Sequence, residues 1–268
     1  MPVVGQLRAD CTLNRPYLVP TVAPNDTTPT HPLLTRSAEA HGLARYRTLT
    51  DITLRYEGTW APLIGRLQPL LVDQRFRGPS TERIRPREGT IAQHHEGPAG
   101  RKHVLRRPGA IDVAFNDAPA TDEPRRTAAA LVADGYMLFP LGPLWLLEHR
   151  ALALGPAGTE TIEVNGTRWP CHILTGRMTP GLGFSPTDRL TLWIGRDDFL
   201  MHRLRFGLDG FAPTRNAVAE VDAWDHADFT GLTLPRRWHE RLIRPAPLPV
   251  HDWTLTGVEL APTSARSA

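Results

Sequence analysis

Lysine is almost missing from this 268-residue chain: of 31 basic residues, Lys102 is the one lysine and the rest are arginines. Cysteine is scarce as well. Cys11 and Cys171 lie far apart, which excludes a disulfide framework and any zinc-ligand spacing built on cysteine pairs. Neither sign of charge dominates. The net charge of +3 is too small for the concentrated basic face that nucleic acid requires. Uninterrupted apolar runs of the roughly 20 residues needed to cross a bilayer are missing. The best stretch, 136–147, is broken by Pro140 and Pro143. A secretory leader pattern is also lacking, because residues 1–20 carry Arg8, Asp10 and Arg15 and no apolar segment. The expectation is a cytoplasmic protein with no membrane span and no nucleic-acid partner.

What the chain does have is strand. Hydrophobic residues make up 41% and charged residues 22%, the balance of a packed globular protein rather than a disordered one. Residues 1–30, with Pro16, Pro20, Pro24 and Pro29, read as an extended arm. Thr30-His31-Pro32 opens a helix that stops near Gly42. From residue 44 the period becomes two. Tyr46, Ile52, Leu54 and Tyr56 share one face, and Arg47, Thr53, Arg55 and Glu57 share the other. Similar runs at 70–77, 82–87, 90–95, 102–107 and 110–115 are separated by turn signals such as Gly78-Pro79 and Pro108-Gly109. This is an antiparallel meander.

Residues 122–149 interrupt it with a helical cover. Asp122-Glu123-Pro124 starts a helix expected to end near Gly135, followed by a turn and a short apolar helix. Strands resume on either side of Asn165-Gly166, the strongest short hairpin signal. Further strands are expected at 190–194, 200–208, 217–227, 232–243 and 253–260, and a polar tail over 261–268. About a dozen strands with helices only at the start and middle exclude a doubly wound parallel sheet. They describe a mainly β (α+β) domain over residues 31–260, built on one strongly curved antiparallel sheet with a helical cover.

The later half carries a family resemblance. Asn165-Gly166 leads to Trp169-Pro170-Cys171-His172-Ile173-Leu174, then to Asp188-Arg189-Leu190-Thr191-Leu192-Trp193-Ile194 and Leu200-Met201-His202-Arg203-Leu204. The run ends in Asp228-Phe229-Thr230-Gly231-Leu232-Thr233-Leu234-Pro235. In this order the motifs resemble the LolA-like superfamily of lipoprotein carriers and their relatives, over roughly residues 33–245. The resemblance implies a half-open β-barrel, with residues 123–147 as a central plug over a concave face that holds acyl chains or other apolar ligands. These are fold motifs, not catalytic ones. The carriers act outside the cytoplasm, so the missing leader pattern sets this chain apart from them.

Two functional readings follow. The first is binding of a hydrophobic small molecule or acyl chain, with Trp145, Trp193, Leu204 and Phe206 as walls. His149 and Arg203 would stand near the ligand. The second is a cofactor-independent acid–base enzyme of cyclase, isomerase or dehydratase type in the same cavity. His202 falls in phase with Leu200, Leu204, Phe206 and Leu208, which places it on the inner face. It would be the base, with His172, Glu240 or an arginine as partner. The plainer reading of His202 is a hydrogen-bonded core histidine. His94 and His95 face opposite ways, and His94 or His95 with His103 and Glu96 makes a metal site on paper only. Arg75, Arg77, Arg83, Arg85, Arg87, Arg101, Lys102, Arg106 and Arg107 read as a wet outer face, with an anionic head-group site at the cavity rim as the functional alternative.

Overall fold

The computed structural model describes residues 31–262. The expected arm (1–30), with Cys11, and most of the polar tail lie outside the described residues. The chain opens with helices α1 (Pro32–Ala40) and α2 (Leu43–Thr48), then strand β1 (Leu49–Trp60). Short helices α3 (Pro62–Leu67) and α4 (Pro69–Val72) precede β2 (Ser80–Arg85), β3 (Thr90–Gly97), β4 (Gly100–Arg107), β5 (Ala110–Phe115) and β6 (Ala118–Pro119). The long helix α5 (Glu123–His149) follows. Then come β7 (Ala151–Val164), β8 (Thr167–Thr179), β9 (Asp188–Gly195), β10 (Met201–Gly207) and β11 (Val218–Trp224). A two-residue pair, β12 (Ala227–Asp228) and β13 (Thr233–Leu234), leads to β14 (Arg237–Arg244) and β15 (Leu248–Pro262).

Thirteen strands form one antiparallel sheet in the order β6-β5-β4-β3-β2-β1-β15-β14-β11-β10-β9-β8-β7. The C-terminal strand β15 inserts beside β1 and joins the two meanders. The sheet is curved and unclosed, and α5 lies in its concave side. The helix touches β3, β4 and β5 from one half and β7 from the other. The largest core cluster accordingly mixes Ile52, Ile84 and Val113 with Leu192, Leu204 and Val221 around Leu138, Leu141 and Trp145. The alternation in β1 holds: Ile52, Leu54 and Tyr56 are buried while Arg55 and Glu57 are exposed. At the first hairpin of the second half, Asn165 (φ 47°) and Gly166 (φ 76°) both take the left-handed backbone that a tight two-residue turn needs.

Three local expectations change. Residues 43–48 are helical rather than the start of a strand. Residues 70–77 are not a strand either: Pro69 opens the helical turn α4, and Asp73 (φ 49°) ends it. The third concerns α5, which runs through Gly135 to His149 and bends instead at Gly142 (φ 26°, ψ −106°), between Pro140 and Pro143. Pro143 has no N–H to give the carbonyl of Phe139. Trp238 Nε1 donates to that carbonyl at 3.2 Å, so the bend is satisfied from the sheet. By length and composition α5 is apolar enough to span a membrane, yet nearly its whole apolar stretch is buried inside the fold. A helix apolar all round is what such a position asks for.

The bend depends on a glycine. A Cβ at Gly142 would fall 2.5 Å from the Met201 methyl, at a φ that L-residues rarely adopt. Gly142→Ala is expected to cost about 1–3 kcal/mol and to lower the Tm by several degrees. A thermal scan showing an unchanged Tm would contradict this account of the bend.

Candidate functional site

Between the N-terminal half of α5 and the centre of the sheet lies a cavity of about 380 Å3. Val132, Gly135, Tyr136 and Phe139 form the helix wall, and Phe206, Leu242 and Trp253 form the sheet wall. The floor is Ile64, Leu67 and Leu71 from α3 and α4. The two short helices that sequence periodicity missed are therefore what shapes the cavity. Exposed lining residues Leu67, Pro213, Arg215 and Pro245 mark its mouth. The lining is mostly apolar, with a few polar groups, the usual make-up of a small-molecule site.

Among the described lining residues one carboxyl group stands in that wall. Glu240 on β14 is buried, and no described residue hydrogen-bonds its carboxyl. Burial alone pushes its pKa up to about 8, so the group is largely neutral near pH 7 and has a proton free to donate. Tyr136 links this wall to a second polar cluster under α5. Arg77 Nη1 donates to the Tyr136 hydroxyl at 3.1 Å. Beyond it, Glu82 on β2 and His95 on β3 are fully buried, and neither carboxylate oxygen and neither ring nitrogen has a hydrogen-bond partner among the described residues. Burial raises the Glu82 pKa to about 7, opposed only in part by the nearby Gln93 and Ser80 dipoles and the Arg77 charge. Burial, and then the Arg77 and Lys102 charges, hold His95 well below its usual value.

Like Arg77, Lys102 and Arg106 belong to this inner face, not to the outer one expected for them. Lys102 Nζ bonds Asp73 at 2.6 Å, and Arg106 grips Asp134 of α5 through two 2.9 Å contacts. Both alternate in phase with buried Val104. Arg83, Arg85, Arg101 and Arg107 do face outward and pair with surface carboxylates. His94 and His103 meet across β3 and β4, with their Nδ1 atoms 3.1 Å apart. Among the described residues no three-ligand group joins them.

The sequence-derived site residues divide between the two faces. Phe206 lines the cavity as expected. Leu204 and Trp145 are fully buried core residues behind it, and Arg150 lies 3.9 Å over the Trp145 ring. Trp193 and Arg203 point the other way. They oppose each other on β9 and β10, on the convex side. Trp193 bonds Glu160 at 2.8 Å, and Arg203 pairs with Asp222, so neither can wall the cavity. His149 closes α5 by bonding the Pro86 carbonyl at 2.6 Å, away from the ligand space.

His202 is also displaced, for a structural reason. A β-bulge between Met201 and Arg203 makes His202 the extra residue of β10. Met201 and Leu204 therefore share the inner core, while His202 turns out against Trp169, stacked at 3.9 Å. Its Nε2 meets Asp198 at 2.8 Å. His226 stands edge-on 5.2 Å away, and His41 bridges the Thr233 carbonyl and the Met201 N–H. Burial lowers His41 to about 4 and His226 to about 3. His172 on β8 is half-buried opposite Ile194 and makes no hydrogen bond with either partner named for it. His202, His172 and Glu240 thus do not assemble into one acid–base site. The reading as a cyclase, isomerase or dehydratase loses its catalytic group.

No protein-family model matches the chain, and no curated protein matches its sequence. Solved structures do match. A LolA superfamily protein from Nitrosomonas europaea superposes with a TM-score of 0.52 at 10% identity, covering 85% of this chain and 93% of that one. A DUF1329 family protein from Desulfovibrio piger gives a TM-score of 0.38 at 13% identity, with 89% and 96% covered. The fold is LolA-like, as the motif order of the later half implied.

Proposed function

We propose that this protein binds a hydrophobic small molecule or acyl chain in the cavity between α5 and the sheet. The observation that carries this reading is an apolar space of about 380 Å3 reaching the surface at Leu67 and Arg215. A space of that size falls within the range of about 300–1,000 Å3 typical of ligand pockets. Burying an alkyl chain there contributes about 0.8 kcal/mol per methylene. A neutral Glu240 carboxyl offers one donor to a polar atom of the ligand without the cost of an ionised group in an apolar wall.

The test uses a fluorescent fatty-acid analogue and its displacement by unlabelled long-chain ligands. Val132 is half-buried on the cavity side of α5, so Val132→Trp fills the space without touching the inner ion pairs. Binding is expected to weaken at least tenfold in this variant while its far-ultraviolet circular dichroism is retained. Equal affinity in the variant and the native chain would overturn the assignment of the cavity.

A further inference from the structure

A second depression lies on the opposite face of the sheet and meets the rim of the cavity. Its volume is about 520 Å3, and Arg177, Arg189, Arg205 and Arg244 line it, from β8, β9, β10 and β14. Arg177 and Arg189 are direct register partners on neighbouring strands. Neither makes a hydrogen bond or ion pair with any described residue, and Arg244 has no side-chain partner either. Like charges placed directly opposite on a sheet are destabilising. The other arginines of this face are neutralised, Arg205 of the lining among them: Arg205 and Arg241 pair with Glu220, and Arg203 pairs with Asp222, which leaves Arg177, Arg189 and Arg244 as the groove's unpaired cations. Asp209 is the one carboxylate in the depression's lining, and its side chain accepts the Asn216 N–H at 2.7 Å. The groove therefore holds an excess of fixed positive charge with hydroxyl groups of Thr175 and Thr191 beside it.

Position makes this charge relevant to the ligand. Phe206, Asn216 and Ala217 line both the groove and the apolar cavity. The segment at 215–217 is the rim between them, with Arg215 exposed at the cavity mouth. We propose that the arginine groove holds the anionic head, a phosphate or carboxylate, of the same amphiphile whose apolar part fills the cavity. This rests on the reading of the cavity given above. Guanidinium groups suit the task because each can grip two oxygens of one head at once. An anion between Arg177 and Arg189 also removes their repulsion.

The experiment compares three probes that share or lack parts of such a ligand: palmitoyl lysophosphatidic acid, monopalmitoylglycerol and inorganic phosphate. Arg177→Gln/Arg189→Gln is the groove variant, and Val132→Trp is the cavity variant. The native chain is expected to bind the phosphate-headed lipid at least tenfold more tightly than the neutral one, with a preference that shrinks as salt rises. The groove variant should lose that preference and keep its affinity for monopalmitoylglycerol, with thermal stability equal to or above that of the native chain. Equal affinity for the two lipids in the native chain, or a preference that survives in the groove variant, overturns the proposal. Loss of both lipids only in Val132→Trp shows that the cavity reading stands independently. If neither lipid binds the native chain, the cavity reading fails, and the shared-ligand proposal fails with it. Competition by phosphate alone then reports a free-anion site instead. A last arm floats the protein with vesicles of phosphatidylglycerol or of phosphatidylcholine. Arginine-dependent flotation with the former, without any headgroup preference for monomeric lipid, assigns the groove to a membrane surface and overturns the proposal.

Discussion

Asp134→Ala is expected to lose about 3–5 kcal/mol of stability, the cost typical of breaking a buried ion pair by removing one member. Asp134 and Arg106 are both buried, with Nε to Oδ1 and Nη2 to Oδ2 at 2.9 Å each. The carboxylate also accepts the Gly183 N–H at 2.8 Å, and Arg106 Nη2 donates to the Gly183 carbonyl at 2.6 Å. One carboxylate thus ties α5 to β4 and to the loop before β9. Removing it leaves the Arg106 guanidinium buried with carbonyl contacts and the Phe184 ring, and takes the carboxylate from buried Arg150 as well. Asp134→Leu/Arg106→Met should recover only part of the loss: it removes the Arg106 charge, but the buried Arg150 guanidinium, 3.9 Å from Asp134, still loses its carboxylate. Chemical denaturation of the three proteins decides the matter. A loss under about 1 kcal/mol in Asp134→Ala would show that α5 is held by apolar packing alone. Since α5 walls the cavity, the single variant should also bind apolar ligand more weakly.

Native protein should lose stability relative to Glu240→Gln as the pH rises from about 4.5 to about 8, whereas buried neutral His41 and His226 add stability to both proteins over the lower part of that range. The Glu240 pKa rises from its ordinary 4.5 to about 8 because burial disfavours the charged carboxylate. Between those values the folded chain holds a proton that the unfolded chain has released. The Glu240 contribution is therefore fully present below about pH 4.5 and is lost by the time the pH passes about 8. At about 1.4 kcal/mol for each pKa unit, the effect is on the order of a few kcal/mol. Glu82, raised to about 7, adds in the same direction. Urea titrations of native and Glu240→Gln protein from pH 4 to pH 9 should converge at the acid end and separate at the alkaline end, with the variant more stable. Parallel curves would contradict the burial of this carboxyl.

The readable parts of the fold were those set by local chemistry. His31-Pro32 starting α1, Asn165-Gly166 making a two-residue turn and Ile52, Leu54 and Tyr56 alternating inward each follow from a few neighbouring residues. The bend of α5 lies later than the first glycine suggests, because Gly135 is tolerated inside a helix, whereas Gly142 between two prolines is not. Period-two reasoning placed His202 with Leu204, and one bulged residue reversed that. A bulge leaves no composition signature at this position. Lys102 and Arg106 alternate in phase with Val104, so period two puts them on the inner face, although charge on a strand usually means solvent. The cavity itself was not legible. Its walls come from residues as far apart as Trp60 and Trp253, brought together only by the insertion of β15 beside β1. Glu240 was singled out from sequence, for a partnership with His202 that the fold does not make. Its role follows from the wall it stands in.

The most direct measurement is native mass spectrometry of the protein as purified, before and after extraction with organic solvent. The account predicts a non-covalent mass increment that the extraction removes, that returns on incubation with a long-chain fatty acid, and that Val132→Trp does not take up. A chain that carries nothing and acquires nothing from fatty acids or lysophospholipids, with α5 folded, would contradict the assignment of the cavity to a hydrophobic ligand.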